Sequence, residues 1–445
     1  MKIFFEPSGI IIAGASDNPA KPQYYLPKNI LEYGYKGKVF LVNPRLKELF
    51  GQKVYPSISS VPEPVDLAML VVPSRPIPGM VTECGQKGVK GVIIGSGGFG
   101  EKGASGQALM EETLAAARPF GLRIMGPNSI GTVNTALRFT CAFIDAPIPS
   151  PGPISFVTQT GLVGGPLLHW LTLAAKIACL GNHSDVDASE VLDYYADDPA
   201  TGVVGVHSEG LNEPRLFVEA LHKCRQAGKP VVLLKTGTSS QGAMIASSHT
   251  GSMSAGHEML LVAARQAGAI LADDFEDFFL TLKVLAQPRQ KDKPFAVAVV
   301  SISGAALVMA GDKCAQLGLK IAAADGDQTA VKGKALYDTG AWSGDVDAAG
   351  LHYDTVSAAL SQPEVTHCVL FMVPTKLFNF DPGPVFTRLR QEFPDKALVA
   401  SICGHRGLAA DWAESLEAKG IPCCGSVESA LTAIARHQKW LQRNK

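Results

Sequence analysis

The chain has 445 residues and a formal net charge of −1, with 46% hydrophobic and 18% charged residues. This length exceeds what one hydrophobic core organises, so two or three domains are expected, and the composition is that of a folded globular protein. A nearly neutral chain offers no basic face to nucleic acid, and no run of about 18 apolar residues predicts a membrane span.

The nine cysteines are scattered along the chain, and they form neither a CxxC motif nor a Cys/His ladder. The pattern therefore predicts no zinc site and no disulfide framework, and no residue is assigned as a metal ligand. Reduced thiols favour a cytoplasmic location.

Short apolar runs rich in β-branched residues alternate with helical patterns, which is typical of βαβ units and parallel sheets. The first series of predicted strands covers residues 9–15, 38–43, 66–73, 88–95 and 122–126. Helical patterns lie between them, and the series ends at a proline-rich segment, residues 145–153. We predict a Rossmann-type α/β domain over residues 1–147.

Two further series follow with the same alternation. Strands of the second are predicted at residues 154–161, 176–182, 202–210 and 230–237, and strands of the third at residues 295–304, 366–374 and 396–404. A charged, proline-bearing linker at residues 285–294 separates the two series. We predict parallel-sheet α/β domains over residues 148–287 and 293–445.

Ligands of open parallel sheets bind beyond the carboxyl ends of the strands. In the first series these ends carry the turn GASDNP (14–19), the glycine-rich loop GSGGFG (95–100) and Asn128. The loop has the GxGxxG pattern but follows the wrong strand for a dinucleotide fingerprint, so it indicates a cofactor loop and not NAD. The alternatives are ordinary βα turns, one of them held by asparagine side-chain bonds.

The second series has two polar strand ends. Thr158, Gln159, Thr160 and Gly161 are expected at a helix N-terminus, where unpaired N–H groups and the positive end of the dipole favour an anion. Simple capping by Thr160 would explain the same residues. Glu209 ends the strand at 202–210, where it is placed to orient a histidine of a neighbouring loop or to be solvated.

A single histidine, His249, lies among small hydroxyl-bearing residues in the stretch ASSHTGSMS (246–254). An ordinary loop histidine is one interpretation. The other is a nucleophile that carries phosphate, because a neutral imidazole nitrogen is a competent nucleophile near neutral pH.

Together these segments resemble the α-type portion of the NDP-forming acyl-CoA synthetases, relatives of succinyl-CoA synthetase. The resemblance covers roughly residues 1–285, in family order, and rests on GASDNP, GKVFLVNPR, GGFGEKG, GPNSIGTVN, FVTQTG, GNHSDVDASEVLDYYADDPAT, HSEG, LLKTGTSSQGA and SHTGSMSAG. It implies a CoA-binding Rossmann-type domain followed by two flavodoxin-like, succinyl-CoA synthetase-like domains, the third with a looser likeness to a ligase-CoA domain.

The resemblance also implies a reaction, in which a small carboxylic acid, CoA and NTP give acyl-CoA, NDP and phosphate. His249 corresponds to the family's phosphate-carrying histidine and Glu209 to its orienting glutamate, with the phosphoryl group held at residues 158–161. The implied CoA site consists of Gly14, Ala15, Ser16, Asn43, Pro44, Val72, Pro73, Gly97, Gly98, Phe99 and Asn128.

The sequence shows no Walker A motif and no segment resembling the family's ATP-grasp domain. An ATP-grasp β-type subunit that binds ATP or GTP with Mg²⁺ is therefore implied, in an α2β2-like hetero-oligomer, with a homodimer as the state of the chain alone. The alternative function is a non-catalytic regulator that binds CoA or acyl-CoA with the same fold.

Overall fold

The computed structural model describes residues 1–143, 145, 148–161, 169–242, 244–245, 257–288, 294–322, 336–338, 347–376 and 380–443. The chain divides into two compact units, Met1–Ala272 and Asp273–Lys445. Across the described ranges, no helix has both the length and the hydropathy needed to cross a bilayer.

The first sheet of the Met1–Ala272 unit is built from central strands that are buried along their whole length. Its strands are β1 Gly9–Ala13, β2 Lys38–Val42, β3 Glu48–Leu49, β4 Gln52–Tyr55, β5 Leu67–Leu70, β6 Gly91–Ile94 and β7 Arg123–Met125. They lie in the order β3-β4-β2-β1-β5-β6-β7, and all pairs are parallel except β3 with β4. Continuous apolar strands of this kind are expected where helices cover both faces of a parallel sheet.

The second sheet of the same unit is mixed. Its strands are β8 Gly131–Asn134, β9 Phe139–Thr140, β11 Ile154–Thr158, β13 Lys176–Cys179, β14 Val203–Ser208, β15 Val231–Lys235 and β16 Ile270–Leu271, while β10 Ser150–Pro151 and β12 Leu173–Ala174 form a separate pair. The order is β16-β15-β14-β11-β13-β8-β9. Strands β8 and β9 join antiparallel at the edge, so this sheet is not purely parallel as predicted.

Helices of the first unit connect these strands. They span Lys2–Phe5, Pro22–Tyr33, Ile77–Lys87, Ala104–Ala117, Ala188–Asp197, Pro214–Gln226 and His257–Gln266. The second of them begins at Pro22. Proline has no backbone N–H, but N–H groups in the first turn of a helix have no partner within the helix, so no hydrogen bond is lost there.

In the described part of the Asp273–Lys445 unit, the strands form a parallel sheet. Its strands are β17 Ala296–Ser301, β18 Lys320–Ile321, β19 Leu336–Asp338, β20 His367–Met372, β21 Ala397–Ile402 and β22 Cys423–Cys424, in the order β18-β17-β20-β21-β22 with β19 also paired to β17. Its helices are Phe275–Leu285, Gly304–Leu317, Ala348–Ser361, Pro382–Glu392, Arg406–Glu417 and Val427–Gln442.

The predicted α/β class is confirmed, and the strand orders of the second and third sheets follow the flavodoxin-like 2-1-3-4-5 pattern. The structure divides the chain at residues 272 and 273 into two units, whereas the sequence predicts three domains. The helix Phe275–Leu285, assigned from sequence to the second domain, packs through Leu280 and Val284 into the core of the second unit. Likewise β8 and β9, assigned to the first domain, pair with the second sheet. The division into three domains stays a prediction.

Candidate functional site

The first group of predicted site residues lies at the switch point of the first sheet, where β1 and β5 are neighbours. Gly14 follows β1 with a φ of +96°, and its N–H donates to the carbonyl of Val42 at 3.0 Å. A Cβ on Gly14 would lie 2.3 Å from the carbonyl oxygen of Val71. Only glycine permits this approach, so the turn presents bare backbone at the edge where ligands of such sheets bind.

Asn43 joins the ends of β1 and β2. Its Nδ2 donates to the carbonyl of Ala15 at 2.8 Å, and its Oδ1 accepts from the N–H of Arg45 at 2.8 Å. Ala15 is buried and Ser16 is partly buried. The structure therefore brings together Gly14, Ala15, Ser16, Asn43 and Pro44.

The next strand ends lie at the same edge. Val72 and Pro73 follow β5, and the carbonyl of Val72 accepts from the Ser96 hydroxyl. The N–H of Asn128 in turn donates to the carbonyl of Ser96 at 3.1 Å. The ends of β5, β6 and β7 are thus hydrogen-bonded to one another.

The glycine-rich loop packs closely on its neighbours. A Cβ on Gly97 would lie 2.6 Å from Oδ1 of Asn128, and one on Gly98, whose φ is +103°, would lie 2.6 Å from Oγ of Ser74. The ring of Phe99 is fully buried in the core of the first sheet. Gly14, Gly97 and Gly98 thus pack closely against neighbouring protein atoms, and the turns that carry them, together with Asn43 and Asn128, form a compact group at the carboxyl ends of the strands, which we call the cradle.

A polar bridge that the sequence did not predict connects this cradle to the second sheet. Nδ2 of Asn128 donates to Oδ1 of Asn182 at 3.1 Å, and Nδ2 of Asn182 donates to the Glu101 carboxylate at 3.4 Å. Burial acts to raise the pKa of Glu101, but hydrogen bonds from the Gly98 backbone and from Asn128 outweigh it and lower that pKa. Because Asn182 follows β13, the bridge joins loops of both sheets.

The cradle leads to a first prediction. Replacing Gly14 by alanine is expected to weaken CoA binding by at least about tenfold, because the new Cβ collides with the Val71 backbone and the positive φ is strained. Isothermal calorimetry with CoA measures the effect. The matched control is Gly79→Ala in the helix Ile77–Lys87, where a Cβ meets nothing within 4 Å. Unchanged affinity in Gly14→Ala would contradict the assignment of this turn to the CoA site.

The second group of site residues lies at the switch point of the second sheet, where β11 and β14 pair with Thr158 opposite His207. Gln159 is buried and holds the loop after β14 with three hydrogen bonds. Its Oε1 accepts from the N–H of Glu209 at 2.6 Å and of Gly210 at 3.1 Å, and its Nε2 donates to the carbonyl of Gly210 at 2.6 Å. The side chain of Gln159 therefore positions Glu209.

Thr158 and Thr160 form a local turn, in which Oγ1 of Thr158 accepts from the N–H of Thr160 at 3.1 Å. A Cβ on Gly161 would lie 2.9 Å from the side chain of Ile130, so this glycine sits against the loop that carries Asn128. The helix predicted to begin at residues 158–161 would continue into residues 162–168, which lie outside the described residues. His249 lies outside them as well.

His207 is buried between two threonines. Its Nδ1 lies 3.3 Å from Oγ1 of Thr158, and its Nε2 lies 3.3 Å from Oγ1 of Thr236. Burial, together with the charge of Lys235, lowers the pKa of His207 to about 4. This histidine is therefore neutral at physiological pH, and it links the ends of β11 and β15 through hydrogen bonds to their threonines.

Lys235 is the functional candidate that sequence reasoning missed. It is the last residue of β15, and its Nζ donates to the carbonyl of Glu209 at 2.6 Å and to that of Thr236. A lysine that ends a strand otherwise buried throughout, in the run VVLLK, is the signal that could have revealed it. Among the described residues, no group of three or more His, Cys, Asp or Glu side chains could hold a metal ion.

Comparisons with known proteins agree with this geometry. A model of the CoA binding domain matches residues 8–135, which contain the cradle. A model of the succinyl-CoA ligase like flavodoxin domain matches residues 151–285. The chain is 31% identical to the α subunit of ADP-forming acetate–CoA ligase I from Pyrococcus furiosus, over 99% of this chain and 97% of that protein.

The chain belongs to the family of ADP-forming acyl-CoA ligases. It is also 30% identical to ADP-forming acetate–CoA ligase II of Archaeoglobus fulgidus, of which it spans 67%. An acetyl-coenzyme A synthetase 1 of Ca. Korarchaeum cryptofilum, solved with phosphate and ADP, superposes with a TM-score of 0.85 at 27% identity, covering all of this chain and 97% of that one. The resemblance seen in the sequence is thereby confirmed.

Proposed function

We propose that this chain is the CoA-binding, phosphohistidine-carrying subunit of an acid–thiol ligase, which makes acyl-CoA from a small carboxylic acid, CoA and NTP with release of NDP and phosphate. The observation that carries the proposal is the Gln159 clamp, which holds Glu209 at the switch point of the second sheet. These hydrogen bonds fix the backbone of the loop that carries Glu209, and a protein that only bound CoA would have no need of a glutamate loop fixed there.

CoA is held by the cradle of the first sheet. The residues that we assign to it are Gly14, Ala15, Ser16, Asn43, Pro44, Val72, Pro73, Gly97, Gly98, Phe99 and Asn128. Gly14, Gly97 and Gly98 keep these turns free of side chains at the carboxyl ends of the strands, which supports the approach of a ligand to the backbone there. Phe99, whose ring is buried, contributes through its backbone.

His249 takes up the phosphoryl group, Glu209 orients its imidazole, and the residues Thr158, Gln159, Thr160 and Gly161 hold the phosphoryl group. A carboxylate fixes the tautomer of a neighbouring imidazole and stabilises its charged form. The position of Glu209 beside the 158–161 turn supports this division of roles, since the side chain of Gln159 holds the backbone of the loop that carries Glu209.

The nucleotide, ATP or GTP with Mg²⁺, binds to an ATP-grasp β-type subunit in an α2β2-like assembly. The Pyrococcus furiosus relative, named as an α subunit, supports a partner, and the longer Archaeoglobus fulgidus relative shows that such a chain also occurs within a larger protein. A cytoplasmic location is supported by nine cysteines that are all free thiols.

The test is phosphorylation of His249. We expect the complex with its β-type subunit, incubated with γ-labelled ATP, to acquire an acid-labile and base-stable phosphate on this chain. The His249→Ala variant should lose the label and keep its affinity for CoA, because the CoA cradle belongs to the first sheet. Label that persists in His249→Ala would sink the assignment.

The alternative function, a non-catalytic CoA or acyl-CoA binding regulator, makes the opposite prediction. Such a protein binds CoA through the same cradle, and it acquires no phosphate with any nucleotide or acid. A screen of carboxylic acids with the reconstituted pair, read as NDP release, separates the two functions and identifies the acid.

A further inference from the structure

The end of β15 brings a lysine into contact with the loop that carries Glu209. Ser208 and Lys235 are paired across β14 and β15, so the two strand ends lie side by side. Nζ of Lys235 donates to the main-chain carbonyl of Glu209 at 2.6 Å and also to that of Thr236. Glu209 is therefore held from both sides, by Gln159 through its N–H and by Lys235 through its carbonyl.

The charges at this edge require a cation. The proposed function places the carboxylate of Glu209 close to a phosphoryl group with nearly two negative charges, and like charges in a partly buried site repel strongly. Lys235 is partly buried, and the Glu209 carboxylate interacts with its ammonium group. An ammonium has three donors, of which the two described carbonyls use two.

We propose that Lys235 is a positioning residue of the phosphoryl site, which holds the Glu209 backbone and offsets the negative charge that gathers there when phosphate is transferred. The inference rests on the proposed function. It adds a residue that the sequence motifs did not assign, and it explains why a charged side chain ends a buried strand.

The charge state of Lys235 provides a readout that a purely structural role would not affect. Burial lowers the pKa of Lys235 to about 8, while the Glu209 carboxylate acts to raise it. Among the described residues, the titratable groups that face it are Glu209 and His207, and burial together with Lys235 lowers the pKa of His207 to about 4. Among the described residues at this edge, the loss of charge on Lys235 is therefore the titration expected above pH 7.

Lys229 offers a matched control in the same sheet. Its Nζ also donates to two backbone carbonyls, those of Tyr195 at 2.8 Å and Asp198 at 2.6 Å, and burial likewise lowers its pKa. It precedes β15, at the opposite end of the strand from Lys235. Lys229→Met thus removes a comparable set of hydrogen bonds away from the site.

The experiment measures labelled phosphoenzyme in the complex of this chain with its β-type subunit, using γ-labelled ATP from about pH 7 to about pH 9.5. We expect Lys235→Met to lower the rate of labelling by roughly tenfold to 100-fold at about pH 7, because the charge of the ammonium is lost, and the difference from wild type should narrow as pH rises through about 8. The wild-type rate should fall as pH rises through about 8. Lys235→Arg should remove that fall, since arginine stays protonated, and Lys229→Met should keep the wild-type profile.

The outcomes separate this inference from the function on which it rests. If wild type acquires no label, the proposed function fails and the inference fails with it. If wild type is labelled, and Lys235→Met is labelled at the same rate at about pH 7 or Lys235→Arg shows the wild-type fall with pH, only the role of Lys235 is wrong. CoA calorimetry and thermal unfolding of each variant show whether a loss of labelling reflects misfolding. If Lys235→Met is misfolded, the pH profile of Lys235→Arg tests the role of Lys235 instead.

Discussion

We expect the Gln159→Leu variant to transfer phosphate to His249 about 100-fold more slowly than wild type, with CoA affinity unchanged. Leucine fills a similar volume but cannot make the three hydrogen bonds to Glu209 and Gly210. The loop after β14 then loses its anchor on β11, and a displacement of about 1 Å in an orienting group can cost a factor of about 10² in rate. CoA affinity is expected to be spared because the proposed CoA contacts lie on the first sheet. Labelling kinetics of the complex measure the effect.

The control for this variant is a second buried glutamine. Gln287 donates through Nε2 to the carbonyl of Gly420 at 2.6 Å, and its Oε1 accepts from Nη1 of Arg390 at 2.7 Å. Gln287→Leu should therefore lose stability in a similar way and retain wild-type labelling. Equal labelling rates in Gln159→Leu and wild type would show that the clamp does not position Glu209 for phosphoryl transfer.

The Asp198→Ala variant is expected to lose about 3–5 kcal/mol in the free energy of unfolding, because it leaves the ammonium of Lys176 buried without its counter-ion. Lys176 and Asp198 form an ion pair of 2.8 Å with side chains only 5% and 6% exposed. The Thr201 hydroxyl also donates to the Asp198 carboxylate at 2.5 Å. Urea unfolding followed by circular dichroism gives the free energy.

An exposed ion pair of the same unit serves as the control. Arg215 and Glu219 lie 3.0 Å apart with side chains 90% and 55% exposed. Glu219→Ala should change the free energy of unfolding by no more than about 0.5 kcal/mol, since water screens such pairs. If the two variants lost similar stability, burial of the Lys176–Asp198 pair would not be the cause.

Acid should weaken the same pair. Burial acts to raise the pKa of Asp198. Hydrogen bonds from Lys176 and Thr201, together with the charge of Lys176, outweigh burial and lower this pKa below the unfolded value. A carboxyl with a lowered folded-state pKa stabilises the protein above its unfolded pKa of about 3.9, and this stabilisation is lost as pH falls through the folded value. Wild type should lose this increment at acidic pH, and Asp198→Ala should not.

The order of strands and helices was readable from the sequence because central strands of a parallel sheet are apolar on both faces. The runs GIIIA and VVLLK are buried almost throughout, and their predicted ends fall within a few residues of the observed ones. The antiparallel attachment of β8 and β9 to the second sheet could not be read in this way. Short strands have too few residues for their hydrophobic pattern to indicate a pairing partner. Pairing across the predicted domain boundary also depends on contacts between segments that are distant in sequence.

The sequence by itself determined the α/β class and the strand ends at which polar residues collect. It also determined the family, because motifs such as GPNSIG and HSEG, with their order and spacing, can be recognised without knowledge of the fold. Only the tertiary structure decided which of these ends meet. The order β15-β14-β11 places Lys235, Glu209 and Gln159 side by side, although Gln159 and Lys235 are far apart in the chain. The physical reason is that periodicity reports which face of a strand is buried, whereas neighbours within a sheet are set by crossover connections and by hydrogen bonds between distant segments.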